Sequence, residues 1–235
     1  MKVISFCLYG TSKHYRVGAI KNAELCATIY PDWEVWFYVS PTIPTDVTDR
    51  LYELGCNVII VEAPDDAFFM NYRFLPCADP EVTHAIFRDT DSRVDMREAS
   101  AVQAWLASGK GLHIMRDHPW HLPHPTNHML LGGMWGVACS KLRDIASVLQ
   151  SVRVSHTHGC DQIILTQAVY PRFAGDICVH DDIFDKSPFP TKRVYRQIGG
   201  KLLPLHVGCQ YDECDNPLNI NHLEVLDNHL IHEGP

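Results

Sequence analysis

No stretch of this 235-residue sequence is rich in lysine and arginine, and acidic side chains outnumber basic ones 28 to 20, a formal charge of −8. Affinity for nucleic acid rests on many cationic contacts to phosphate, so no nucleic-acid partner is expected, and an anionic ligand would need positive charge gathered locally. Long apolar runs are also missing. The longest, Val58 to Val61 and Met129 to Cys139, fall far short of the roughly 20 residues that cross a bilayer, so no transmembrane segment is expected. Met1 to Gly10 has too short an apolar stretch, and no small-residue cleavage site, for a signal peptide; it reads as a first strand of a cytoplasmic protein. The nine cysteines include no Cys-x-x-Cys pair, and Cys7, Cys139 and Cys178 sit inside apolar runs, the pattern of buried thiols in a reducing compartment.

What is present suffices for a core: 46% hydrophobic and 20% charged residues exclude a disordered chain. With no internal repeat and no composition shift, residues 1–235 read as one α/β domain, of which 185–235 is an irregular, Pro/Gly-rich C-terminal part packing on the rest. The first ninety residues alternate strand and helix signals. Val3 to Leu8 reads as a strand covered on both faces, and Glu34 to Val39 and Asn57 to Val61 as the second and third strands. Between them, Ile20, Ala23, Ala27 and Tyr30, then Val47, Leu51 and Leu54, recur at helical spacing. The repeated unit is therefore βα on a parallel sheet, with a nucleotide site plausible at the carboxyl ends of the strands. Glu62 to Pro80 reads as a loop and His84 to Asp89 as a fourth strand. Asp95-Met-Arg-Glu98 is a capping box opening a helix that ends at Gly109. Leu112 to Met115 and Met134 to Cys139 follow as strands. Leu142 to Leu149 and a last helix from Asp161, stopping before Pro171, complete the reading.

Asp89-Thr90-Asp91, at the exit of the fourth strand, is the sharpest chemical feature. In extended backbone the two carboxylates would point the same way, about 7 Å apart, and two hard oxygen donors at a sheet edge suit Mn²⁺ or Mg²⁺ holding a diphosphate. The same tripeptide also fits solvated carboxylates that cap the next helix. Arg73, Arg88, Arg93, Lys186, Lys192 and Arg193 are candidates for the missing local positive charge, each equally readable as a surface ion pair. Histidine is abundant, and His118, His121, His124 and His128 invite a zinc reading, but the intervening prolines keep one helix from presenting them. They read better as a polar loop on the acceptor side. Tyr9, Tyr15 and Trp135 could stack on base or sugar, or belong to the core.

Phe87-Arg-Asp-Thr-Asp-Ser-Arg93, His113-Ile-Met-Arg-Asp-His-Pro119, Leu131-Gly-Gly-Met-Trp-Gly136, Asp161-Gln162 and Val179-His-Asp-Asp182, in that order, resemble a family of small glycosyltransferase-like proteins of bacteria and large DNA viruses. The order is also similar to that of glycosyltransferase family 8, and the resemblance runs from Met1 to about Asp215. It implies a GT-A-like, Rossmann-like mixed sheet flanked by helices. The implied activity is metal-dependent transfer of a hexosyl group, with retention, from a nucleoside-diphosphate sugar such as a UDP-sugar to a hydroxyl of a carbohydrate acceptor.

By the same resemblance, Asp89 and Asp91 would bind Mn²⁺ or Mg²⁺, and Arg73 would contact the nucleotide or its sugar; Tyr9 joins the nucleotide-side candidates by its position at the exit of the first strand. Asp117 would hydrogen-bond donor hydroxyls, Gly132 and Gly133 would let backbone approach the sugar, and Asp161 and Gln162 would face the anomeric centre. The chain departs from family 8 in having Leu131 where an asparagine is expected before the glycine. The third metal ligand falls to His180 by the smaller family's pattern, whereas His206-Val-Gly208 is more like the family 8 motif; His180 is preferred. Two other readings compete: a nucleotide-sugar or carbohydrate binding module without turnover, and a phosphohydrolase with Asp89 as nucleophile. The latter is disfavoured because Arg93 stands where that motif needs Thr or Val, and because the motif normally follows the first strand.

Overall fold

The structure, a computed structural model, describes residues 1–121, 129–184 and 187–233. Seven strands form one sheet in the order β3-β2-β1-β4-β6-β5-β7: β1 (Lys2–Leu8), β2 (Glu34–Val39), β3 (Asn57–Ile60), β4 (His84–Phe87), β5 (Leu112–Arg116), β6 (Trp135–Ala138) and β7 (Ile177–Asp181). The continuous apolar runs arise because both faces are covered. In β1, Ile4, Phe6 and Leu8 face one core layer under α1 (Lys13–Ile29), α2 (Thr45–Glu53) and α3 (Met96–Ser108). Val3 and Cys7 face the other layer, beneath a 3₁₀ segment (Ala67–Ala78), α4 (Ile145–Ser151) and α5 (Cys160–Ile164).

The expected βα units are present, and of the capping box the N-cap half forms, the Asp95 carboxylate accepting the Glu98 N–H at 2.8 Å while the Glu98 carboxylate turns to Arg88 and Tyr30. Two expectations change, and the sheet is mixed as expected. The segment read as a loop holds the 3₁₀ helix that carries Arg73. The sheet is parallel except for β6, which runs antiparallel to both neighbours. A parallel return from β5 to β6 would need a crossover of a dozen or more residues, usually a helix, and the described part of that connection holds only a short 3₁₀ turn (Pro119–His121). The helix from Asp161 does not stop before Pro171: α5 widens into a π turn (Leu165–Val169) and then a 3₁₀ turn (Tyr170–Phe173). Pro171 lies in the first turn of the latter, where its missing N–H costs nothing.

The C-terminal part is more regular than expected. A hairpin, β8 (Tyr195–Ile198) and β9 (Lys201–Pro204), closes through Gly199 and Gly200, and α6 (Ile220–Glu233) buries Leu223 and Leu226. Among the described residues, no helix is long and apolar enough to cross a membrane. Lys186 and the predicted histidines His124 and His128 lie outside the described residues.

Candidate functional site

Strand register assembles the site. β4 pairs with β1 so that Phe87 lies opposite Ser5, and with β6 so that Phe87 lies opposite Trp135. Two residues further, at the carboxyl end of β4, Asp89 meets Cys7 on one side and Gly133 on the other. The chain then turns instead of staying extended, with the Ser92 N–H and Oγ both donating to the Asp89 carbonyl, at 3.3 and 2.8 Å. Alternation of faces therefore does not govern Asp89 and Asp91. Asn22, buried in α1, fixes this turn: its amide donates to the Thr90 and Ser92 carbonyls and accepts the Val94 N–H.

Arg73 is the hub of the site. Its guanidinium is buried and spans two carboxylates, pairing with Asp89 and, at 2.8 Å, with Asp161 Oδ2, while its backbone N–H donates to Cys7 Sγ at 3.1 Å. Asp161 begins α5 and accepts the Gln162 N–H. The two glycines make room for this network. A Cβ on Gly132 would lie 1.8 Å from Asp161 Oδ2 and 2.3 Å from an Arg73 nitrogen, and one on Gly133 would lie 2.0 Å from Asp89 Oδ2. Asp91 is 5% exposed and accepts from Gln210 Nε2 at 2.6 Å. Burial, and then the charge of Asp89, push its carboxyl up to about 6.

These residues line one cavity of about 590 Å³ together with Tyr9, Tyr15, Gly132, Gly133, Gln162 and His206. Among its described lining residues Arg73 is the one cation, set against three carboxylates: Asp89, Asp91 and Asp161. The other proposed cations are committed elsewhere or stand apart. Arg88 is buried and bonded to Glu98, Arg93 to Asp215, and Arg193 to Asp117, while Lys192 does not line the cavity. Trp135 is fully buried core.

Two of the predicted site residues, Asp117 and His180, stand outside this cavity. Asp117 has no exposure and does not line the cavity. It accepts from Arg97 at 3.0 and 2.9 Å, from Arg193 at 2.6 Å and from the Val207 N–H at 2.9 Å, so its oxygens are consumed in tying the C-terminal part to the sheet. His180 does not line the cavity either: its Nδ1 lies 2.9 Å from His113 Nε2 and its ring faces Phe189 at 5.8 Å. The cavity histidines are His118, His121, His158, His206 and His222. Burial pushes His206 down to about 3, and its Nδ1 donates to the Val207 carbonyl at 2.9 Å, which puts the lone pair on Nε2. Neither Asn22 nor Gln210 is marked by any local sequence signal. Both act on the aspartate turn from distant parts of the chain.

No family model matches this chain, and no curated protein matches it in sequence. Solved structures do match in fold. A glycosyltransferase involved in the glycosylation of the major capsid of PBCV-1 superposes at TM-score 0.50, with 17% identity over 77% of this chain and 82% of the other. Glucosyl-3-phosphoglycerate synthase from Mycobacterium tuberculosis, solved with UDP, glucosyl-3-phosphoglycerate and Mn²⁺, superposes at 0.50 with 15% identity over 75% and 68%. TarS of S. aureus superposes at 0.54 with 12% identity over 77% and 35%. The fold is that of the GT-A glycosyltransferases: a seven-stranded, mostly parallel sheet between helices.

Proposed function

We propose that this chain is a metal-dependent glycosyltransferase that moves a hexosyl group from a UDP-sugar to an acceptor hydroxyl. The observation that carries the reading is the network at the carboxyl edge of the sheet, where Arg73 bridges Asp89 and Asp161 against the Gly132-Gly133 backbone, with buried Asp91 beside it. The glycosyltransferases of like fold support it, one of them solved with Mn²⁺ and UDP.

The residues fit a divalent ion. Asp91 is a carboxylate raised first by burial and then by the charge of Asp89, so the pair makes a negative spot that a cation would relieve. Among the described residues, no three His, Cys, Asp or Glu side chains form a ready-made cage. That composition suits Mg²⁺ or Mn²⁺ taken up on two carboxylates together with diphosphate oxygens. Bound there, the ion would offset the charge that builds on the diphosphate as its bond to the sugar breaks. Of the two histidines considered as a further ligand, His206 shares the cavity and is the one we assign.

Arg73 supplies the protein's own positive charge and holds Asp161 in place beside Gln162, the pair assigned to the sugar's anomeric side, while Tyr9 flanks the nucleotide end. In the transfer, the acceptor oxygen bonds to the anomeric carbon, and the carbon–oxygen bond to the diphosphate breaks with its electron pair. The hydroxyl proton leaves with the diphosphate, and configuration is retained.

The test is UDP release from a panel of UDP-sugars, with and without Mn²⁺, beside calorimetry of UDP binding. Mn²⁺-dependent binding and slow UDP release are expected. Equal UDP affinity in Mn²⁺ and in excess chelator would sink the metal reading, and tight binding without turnover would leave a binding module. In the same assay His206→Ala should weaken Mn²⁺ affinity in the presence of UDP, and His180→Ala should not.

A further inference from the structure

Part of the cavity wall is absorbed by none of the donor chemistry. The short 3₁₀ turn Pro119–His121 and the start of α6 bring His118, Trp120, Asn219 and His222 to the same cavity as Arg73 and Asp161. Trp120 is 53% exposed, an unusual state for a large apolar ring, and it is nevertheless held in place. Its backbone N–H donates to His118 Nδ1 at 3.0 Å, and its indole meets the His222 ring edge-on at 4.4 Å and the His118 ring at 5.4 Å. His118 is fixed in turn. With Nδ1 accepting, its proton sits on Nε2, which donates to the His222 carbonyl at 2.8 Å. The result is an aromatic platform at the cavity mouth, braced on two sides and flanked by an imidazole and a primary amide.

Among its described residues this wall carries no Lys, Arg, Asp or Glu. The cavity's one described cation, Arg73, is occupied by two carboxylates on the donor side. An acceptor bearing phosphate or carboxylate would find no counter-cation here and would meet the repulsion of three acidic groups nearby. A neutral sugar ring matches the wall: its apolar C–H face lies on an indole, and its hydroxyls exchange hydrogen bonds with imidazole and amide groups, which both donate and accept.

We infer that Trp120, with His222 and Asn219, forms the acceptor subsite, and that the acceptor is an uncharged pyranose at the end of a glycan. The inference rests on the glycosyltransferase reading. The transferred sugar bonds to a hydroxyl oxygen of that pyranose, the diphosphate leaves with the electron pair, and the hydroxyl proton goes with it.

The experiment measures UDP release from the active UDP-sugar with Mn²⁺ in the presence of methyl glycosides of glucose, galactose and mannose, of glycerol 3-phosphate, and of a Ser/Thr peptide. Neutral methyl glycosides should raise release above the hydrolytic background. Trp120→Ala should raise their KM at least about tenfold, Trp120→Phe should recover much of that loss, and UDP affinity should stay as in wild type. Acceleration by glycerol 3-phosphate or the peptide alone, or an unchanged acceptor KM in Trp120→Ala, overturns the assignment.

Tryptophan emission provides a second readout. Titrating methyl glycosides in saturating UDP and Mn²⁺ should change it in wild type and not in Trp120→Phe, and no saccharide-dependent change in wild type also overturns the assignment. Loss of Mn²⁺-dependent UDP binding in wild type is a separate result, which strikes the donor reading instead.

Discussion

Gly132→Ala tests the bridge between Arg73 and the two carboxylates most directly. The new methyl would sit 1.8 Å from Asp161 Oδ2 and 2.3 Å from the Arg73 nitrogen that bonds it. Relief to an ordinary contact near 3.4 Å moves Oδ2 by about 1.6 Å, more than a 2.8 Å ion pair tolerates. The two side chains are 4% and 3% exposed, so water cannot stand in for the lost partner. Overpacking alone costs about 1–3 kcal/mol, and breaking a buried pair about 3–5. Because the turn before β6 can give by a few tenths of an ångström, we expect about 2–4 kcal/mol.

Urea denaturation followed by far-UV circular dichroism reads the loss. Calorimetry with UDP and Mn²⁺ on the folded protein should show weakened binding. Gly175→Ala is the control: its φ is +77° and no atom lies within 4 Å of the added carbon, so it carries only the left-handed backbone cost, about 1–2 kcal/mol. In an Asp161→Ala background, the clashing carboxylate is gone and Gly132→Ala should cost clearly less, a coupling a double-mutant cycle resolves. Additive effects in that cycle, or a Gly132→Ala protein with wild-type stability and UDP affinity, would refute the close-approach argument.

Three further outcomes follow from the same network. The Asp91 carboxyl, raised in the fold to about 6 against about 3.9 in an unfolded chain, binds its proton more tightly when folded. Its contribution to stability is thus full below pH 4 and is lost as pH rises through 6, by up to about 3 kcal/mol. In excess chelator Asp91→Asn should be more stable than wild type at pH 7.5 but not at pH 4, and parallel pH–stability curves would contradict this. Arg88→Met should cost about 3–5 kcal/mol in urea, since it strands Glu98, which Tyr30 also contacts at 2.8 Å, while UDP affinity of the folded protein holds; a selective loss of UDP binding would return Arg88 to the phosphate site. Asp117→Asn should destabilise by less, about 1–3 kcal/mol, because Arg97 and Arg193 lose one carboxylate but keep Asp182, without changing which UDP-sugar is preferred, and a shifted donor preference would restore its sugar-binding role.

How much of this the sequence discloses depends on how local each cause is. β1 and β2 are visible because a strand covered on both faces is a continuous apolar run, and the start of α3 is visible because Asp95 accepts the Glu98 N–H within one turn. The antiparallel β6 is harder to see, since the direction of a strand is set by the chain that returns to it. α6 carries a signal that composition hides: Leu223, Leu226 and Leu230 are spaced for one face of a helix, among histidines, asparagines and acids that dilute it. In the site, Asp89, Asp91 and Asp161 stand out because their positions after strand β4 and at the opening of α5 are local facts. Asp117 and His180 look equivalent in sequence, yet one is enclosed by two arginines and the other by His113 and Phe189, partners brought in from distant parts of the chain.

Local charge is where sequence and structure bear on each other most. The overall charge of −8 demands that positive charge be concentrated near any anionic ligand, and six cations could have met that demand. Arg88, Arg93 and Arg193 are spent on Glu98, Asp215 and Asp117, which leaves Arg73 as the described cation of the cavity, itself matched by Asp89 and Asp161. A diphosphate entering alone would meet more negative than positive charge. Under the proposed function a divalent ion would be held by Asp89 and Asp91 and would supply the positive charge the cavity lacks, while Arg73, still paired with Asp161, would turn its other side from Asp89 toward the diphosphate.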